Sequence, residues 1–107
     1  MNFSKIQLGT VQFGLDYGIA NTGGKPSYEN ARDIIAAAFE GGINTLDTAA
    51  AYGDSEEILG RALSELNLRH EMLIISKIPP VGAQKLSLAE AEKFITASVE
   101  NSLRRYS

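Results

Sequence analysis

The stretch LDTAAAYGDSEEILG, Leu46 to Gly60, brings an apolar run to a stop at an aspartate and sets a tyrosine five positions further on. A helix-start pattern comes at once. Asp54 with Glu57 has the spacing of a capping box, in which each side chain satisfies an amide at the helix start. Behind it, Ile58, Leu59, Ala62, Leu63 and Leu66 fall on one helical face. Upstream, Ile43 to Thr48 is short and mostly apolar, as expected of a strand buried on both faces of a parallel sheet. Strand, loop and helix therefore succeed one another here, and the loop begins on a carboxylate.

The same alternation runs through the rest of the chain. Ile6 to Thr10 and Met72 to Ser76 are the other two short apolar runs. Ser27 caps a predicted helix bearing Ala31, Ile34, Ile35 and Ala38, which Gly41 and Gly42 end. Ser87 with Glu90 repeats the capping box for a third helix carrying Leu88, Ala91, Phe94, Ile95 and Leu103. Pro79 and Pro80 break the chain just after the third strand. The order β-α-β-α-β-α predicts parallel strands joined by right-handed crossovers. A doubly wound sheet and a (β/α)8 barrel both fit that order, and a complete barrel needs about 250 residues. The 107 residues are enough for its first three β/α units. A free-standing three-stranded parallel sheet would leave open edges and an incomplete core. Residues 1–107 therefore read as the N-terminal part of one barrel domain, truncated from a longer protein.

Composition narrows the function. With 44% hydrophobic and 21% charged residues the chain is built to fold rather than to stay disordered. A net charge of -3 argues against a nucleic-acid partner, which calls for a basic face. The absence of cysteine rules out disulfides and thiolate metal sites. The start MNFSKIQLGT does not read as a signal peptide, and no run is long enough to span a membrane. A cytoplasmic protein without membrane or metal is the expectation.

Nucleotide motifs fail on inspection. Gly9 and Gly14 have the spacing of a P-loop start, but Leu15 stands where the phosphate-binding lysine belongs. Gly23-Gly24-Lys25 is followed by Pro26, and GxGxxG is absent. The single histidine, His70, precedes the third strand and reads as a surface residue.

Asp47, Tyr52 and Lys77 are different. Parallel β/α folds gather functional groups at the C-terminal ends of their strands. Asp47 closes the second strand, Tyr52 lies in the following loop, and Lys77 comes directly after the third strand. Neighbouring strands lie about 4.8 Å apart, which puts the three within reach of one another. An ammonium beside a phenol favours its proton release, and an aspartate holds that ammonium charged and in place. Such a group is a candidate general acid for an oxygen that develops negative charge. On spacing alone, an aspartate in a turn, a packing tyrosine and a solvated lysine remain open as the plainer account.

Four segments resemble the N-terminal part of the aldo-keto reductase superfamily: LGTVQFG (Leu8–Gly14), GGINTLDTAAAYG (Gly41–Gly53), SEEILGRAL (Ser55–Leu63) and IISKI (Ile74–Ile78). Glu56 and Gly60 fit its E-x-x-x-G element. The resemblance implies a (β/α)8 TIM barrel that binds NADPH, less often NADH, and reduces aldehydes or ketones to alcohols. Carried over, Tyr52 is the proton donor, Lys77 makes its proton easier to give, and Asp47 orients Lys77. Gly9 and Thr10 line the nicotinamide end of the pocket, and Asp47 also lies near the nicotinamide ribose. The family's fourth catalytic residue, a histidine at the end of the fourth strand, has no counterpart in the sequence, since His70 precedes the third strand. The 107 residues alone are accordingly expected to be inactive. The first βα loop, Asn21 to Pro26, is long and glycine-rich for the family. A non-catalytic NADPH-binding barrel acting as a regulatory subunit is the alternative. A barrel lyase or isomerase using Lys77 as a Schiff-base amine ranks below both.

Overall fold

Three short strands carry the sheet, and each is narrower than its apolar run. The computed structural model of the chain describes residues 1–18, 22–80 and 85–107, so Asn21 of the first βα loop lies outside the described residues. The elements are β1 (Leu8–Gly9), α1 (Val11–Gly14), α2 (Tyr28–Glu40), β2 (Thr45–Asp47), α3 (Ser55–Glu65), β3 (Leu73–Ile75) and α4 (Leu88–Tyr106). The strands pair in parallel in the order β1-β2-β3. Gly9, Asp47 and Ile75 stand side by side in one row of that register. Backbone bonding continues one residue beyond it: Thr10 N–H donates to Asp47 O at 3.0 Å, and Thr48 N–H to Ile75 O at 2.8 Å.

Leu46 of β2, Ile35 of α2, and Leu59 and Leu63 of α3 are fully buried, with Phe13 of α1 and Met72 beside them. Burying one such side chain stabilises by about 1.5–3 kcal/mol, so this cluster dominates the packing. Among the described residues, no helix is long and apolar enough to cross a membrane.

The helix caps fall out unevenly. Ser27 Oγ accepts from Asn30 N–H, and Ser87 with Glu90 forms a complete capping box. Asp54 occupies the N-cap of α3 but makes no side-chain capping bond. Its φ of -95° and ψ of 18° lie outside the extended region from which a cap side chain reaches the N3 amide. Its carboxylate accepts instead from Lys25 Nζ at 2.6 Å. The apolar stripe of α4 also departs from the pattern. No residue of that helix is buried, and Leu88 and Leu103 are exposed.

Helices α3 and α4 meet backbone to backbone. A Cβ on Gly60 would lie 1.9 Å from Arg105 O, so α4 can sit this close only over a glycine. Gly60→Ala is expected to destabilise the protein by about 2 kcal/mol, as overpacking typically does. Thermal unfolding of the full-length protein checks this, and an unchanged melting temperature would show that α4 shifts freely.

Candidate active site

Lys77 lies just past β3, and its side chain turns back over the end of β2. Its ammonium donates to Asp47 Oδ1 at 2.5 Å and to Thr48 O at 2.9 Å. Its own carbonyl accepts from Ala50 N–H at 3.2 Å. The Tyr52 ring centroid lies 5.2 Å from the same ammonium, within cation–π range. Asp47, Tyr52 and Lys77 therefore converge, as their places at the strand ends predict.

The hydrogen bond to Asp47 is the main cause that raises the Lys77 pKa above the ordinary lysine value, and Tyr52 adds to it. The lysine stays cationic throughout the neutral range. The Asp47 and Lys77 side chains are 36% and 48% exposed, and ion pairs in such positions stabilise a fold by only about 0–1 kcal/mol. The pair's effect is to fix where the ammonium sits.

The loop that carries Tyr52 is shaped by two glycines. Gly53 adopts a φ of +57°, the left-handed region that favours glycine. A Cβ there would lie 2.3 Å from Gly14 O, and a Cβ on Gly14 would lie 1.6 Å from Tyr52 O. Gly14, which closes α1, thus lets that short helix press against the tyrosine's backbone. Of the two glycines spaced like a P-loop start, Gly14 serves this contact.

Gly9 is exposed at the end of β1 beside Asp47, while Thr10 is 1% exposed. The Thr10 hydroxyl donates to Asp47 O at 2.9 Å, so it faces inward. His70 is exposed in the turn before β3, and among the described residues no group of three His, Cys, Asp or Glu side chains is placed to hold a metal ion.

Behind the three residues lies a polar layer that periodicity does not announce. Ser55 Oγ contacts Thr10 and Thr48. Glu56, 1% exposed, accepts from Ser76 Oγ at 2.6 Å, Ser102 Oγ at 2.8 Å, Arg105 Nη1 at 2.7 Å and Tyr106 Oη at 2.9 Å. Burial alone would raise the Glu56 pKa, but the four donors together, Ser76 first, hold it below the ordinary glutamate value. Burial is also the main cause that raises the Tyr106 pKa, with Glu56 adding to it, so Tyr106 remains a donor. One signal in the sequence points here: Ser55 and Glu56 share a helical face with Leu59, Ala62 and Leu63, so polar residues sit on a side that must be buried.

The model of the aldo/keto reductase family matches residues 5–107. The chain belongs to this family. It is 33% identical over 105 residues to the aldo-keto reductase YhdN of Bacillus subtilis, a match covering 95% of the chain and 30% of the relative. It is 41% identical over 78 residues to D-arabinose 1-dehydrogenase of Saccharomyces cerevisiae, covering 68% of the chain and 22% of the relative. A Pseudomonas aeruginosa aldo-keto reductase structure superposes with a TM-score of 0.70 at 41% identity, over 94% of this chain and 37% of that one. The holo form of a Bacillus halodurans aldo-keto reductase gives 0.70 at 23% identity, over 99% and 33%, and speaks for the fold alone. The three β/α units are those of the (β/α)8 TIM-barrel fold of the aldo-keto reductases. The chain spans between 22% and 30% of the length of the two sequence relatives.

Proposed function

We propose that residues 1–107 are the N-terminal part of a single barrel domain in a cytoplasmic oxidoreductase that reduces aldehydes or ketones to alcohols with NADPH, or NADH. The observation that carries this reading is one ammonium shared by two groups. Lys77 Nζ lies 2.5 Å from Asp47 Oδ1 and 5.2 Å from the Tyr52 ring centroid.

The residues present fit a nicotinamide cofactor. Gly9 is not in the left-handed region, and a Cβ built on it meets nothing within 4 Å. The chain itself has no evident use for glycine there. Its bare backbone leaves an open, flat place beside Asp47, suited to a planar ring, and the Asp47 carboxylate is an acceptor for ribose hydroxyls. Gly9 and Asp47 would hold the nicotinamide end, with Thr10 supporting Asp47 from behind. When bound, the cofactor supplies the hydride that reduces the carbonyl carbon. Tyr52 gives its phenolic proton to the carbonyl oxygen, completing the alcohol. Lys77, kept cationic by Asp47, stabilises the phenolate left behind.

The test is carbonyl-dependent NADPH oxidation by the full-length protein, followed by absorbance, with Asp47→Asn beside the wild type. Asparagine keeps an acceptor for Lys77 but removes the charge that faces it, and turnover is expected to fall about 100-fold, the low end of the range ascribed to general acid catalysis. Stability should change by less than about 1 kcal/mol. No carbonyl-dependent oxidation by the wild type, or full activity in Asp47→Asn, would overturn the reading.

A further inference from the structure

Behind the Asp47–Tyr52–Lys77 group three hydroxyls are closed off from water. Thr10, Thr48 and Ser55 are 1%, 0% and 0% exposed. Ser55 Oγ lies 3.0 Å from each of Thr10 Oγ1, Thr10 O and Thr48 Oγ1. Each hydroxyl has a single proton to give. Thr10 gives its proton to Asp47 O at 2.9 Å, and Ser55 gives its proton to Thr10. Thr48 is then the donor to Ser55. The bonds run one way, from Thr48 through Ser55 and Thr10 to Asp47.

Each member also holds a part of the site. Thr10 grips the Asp47 carbonyl with its amide at 3.0 Å as well as its hydroxyl. The Thr48 carbonyl receives the Lys77 ammonium at 2.9 Å. The Ser55 amide donates to Tyr52 O at 3.0 Å. Ser55 is thus joined directly to Tyr52, and through one threonine each to Asp47 and to Lys77.

We propose that Ser55 is a positioning residue for the carbonyl reduction, its buried hydroxyl locking the supports of carboxylate, phenol and ammonium into one arrangement. This rests on the assignment of Asp47, Tyr52 and Lys77 to that reaction. Removing the hydroxyl leaves Thr48 without an acceptor and Thr10 without a donor where water does not reach. Buried polar groups so deprived move to find partners. Here the groups that move carry the anchors of Lys77 and Asp47, so the displacement is delivered to the reacting groups. Small misplacements of such groups slow turnover strongly.

In the full-length protein Ser55→Ala is expected to lower kcat for NADPH-dependent carbonyl reduction about tenfold. It should shift the alkaline limb of the kcat–pH profile and leave the NADPH Kd, read by fluorescence, within about twofold. Thr48→Val removes the neighbouring hydroxyl at nearly constant shape. It should reproduce the kcat loss and the pH shift, and it carries the test should Ser55→Ala not fold. Thr48→Ser returns the hydroxyl and should recover most of that loss. A wild-type kcat and pH profile in Ser55→Ala or Thr48→Val overturns the proposal, as does a Thr48→Ser variant as slow as Thr48→Val. Tyr52→Phe in the same assays separates the two readings. Near-normal turnover there removes the proton-donor assignment itself. An inactive Tyr52→Phe beside a fully active Ser55→Ala removes only the role of Ser55.

Discussion

Replacing Tyr52 with phenylalanine is expected to lower turnover by about three orders of magnitude while NADPH still binds, a loss within the range measured for general acids. The change is narrow. Phenylalanine keeps the ring against Lys77, 5.2 Å from its ammonium, and the loop is fixed by backbone rather than by the phenol, through Tyr52 N–H to Ala49 O at 3.1 Å and Ser55 N–H to Tyr52 O at 3.0 Å. The variant lacks only the hydroxyl, with its proton and its contribution to holding Lys77 cationic. Steady-state kinetics with a reactive aldehyde, beside fluorescence titration with NADPH, separates the two quantities. Turnover close to wild type would mean that another group, or water, protonates the oxygen.

Glu56→Ala is expected to give the largest stability loss, about 3 kcal/mol, the low end of the cost of removing one partner from a buried ion pair. The low end applies because the Arg105 side chain is 36% exposed and regains water, whereas Glu56 is closed off at 2%. Ser76, Ser102 and Tyr106 lose an acceptor as well. Chemical denaturation of the full-length protein reads the loss, and a change below about 1 kcal/mol would show that the cluster rearranges without penalty. Glu56→Gln isolates the charge. The folded-state pKa of Glu56 lies below the ordinary value of 4.5, so the native carboxyl binds fewer protons than the unfolded one. Its contribution is complete above about pH 4.5 and fades as pH falls through the lower, folded value. The wild type should therefore lose stability more steeply than Glu56→Gln over that acid window. Parallel curves for the two proteins would remove Glu56 from the acid response.

The sequence announces the strand ends, and with them the meeting of Asp47 and Lys77, because both come after apolar runs that must lie side by side in a parallel sheet. The serine caps are legible for the same reason: a cap acts within three residues of itself. Asp54 is not, since its side chain chooses between a local amide and Lys25, 29 positions away, and spacing contains only the first option. Ser55 and Glu56 bind partners up to 50 positions distant, and periodicity tells which face is buried without telling which polar groups meet there. Helix α1 escapes sequence reading because four residues are too few to show a period. The apolar stripe on α4 is visible as a stripe, but its spacing says nothing of what covers it.

The contact between Gly14 and Gly53 has a mechanical meaning. Side chains pack with slack, because rotamers exchange and absorb small displacements. Two backbones in direct contact have no such cushion: no atom stands between the end of α1 and the Tyr52 peptide that could give way. A side chain at either glycine would have to force the two backbones apart, so the place of the Tyr52 peptide is set by how closely α1 can approach it.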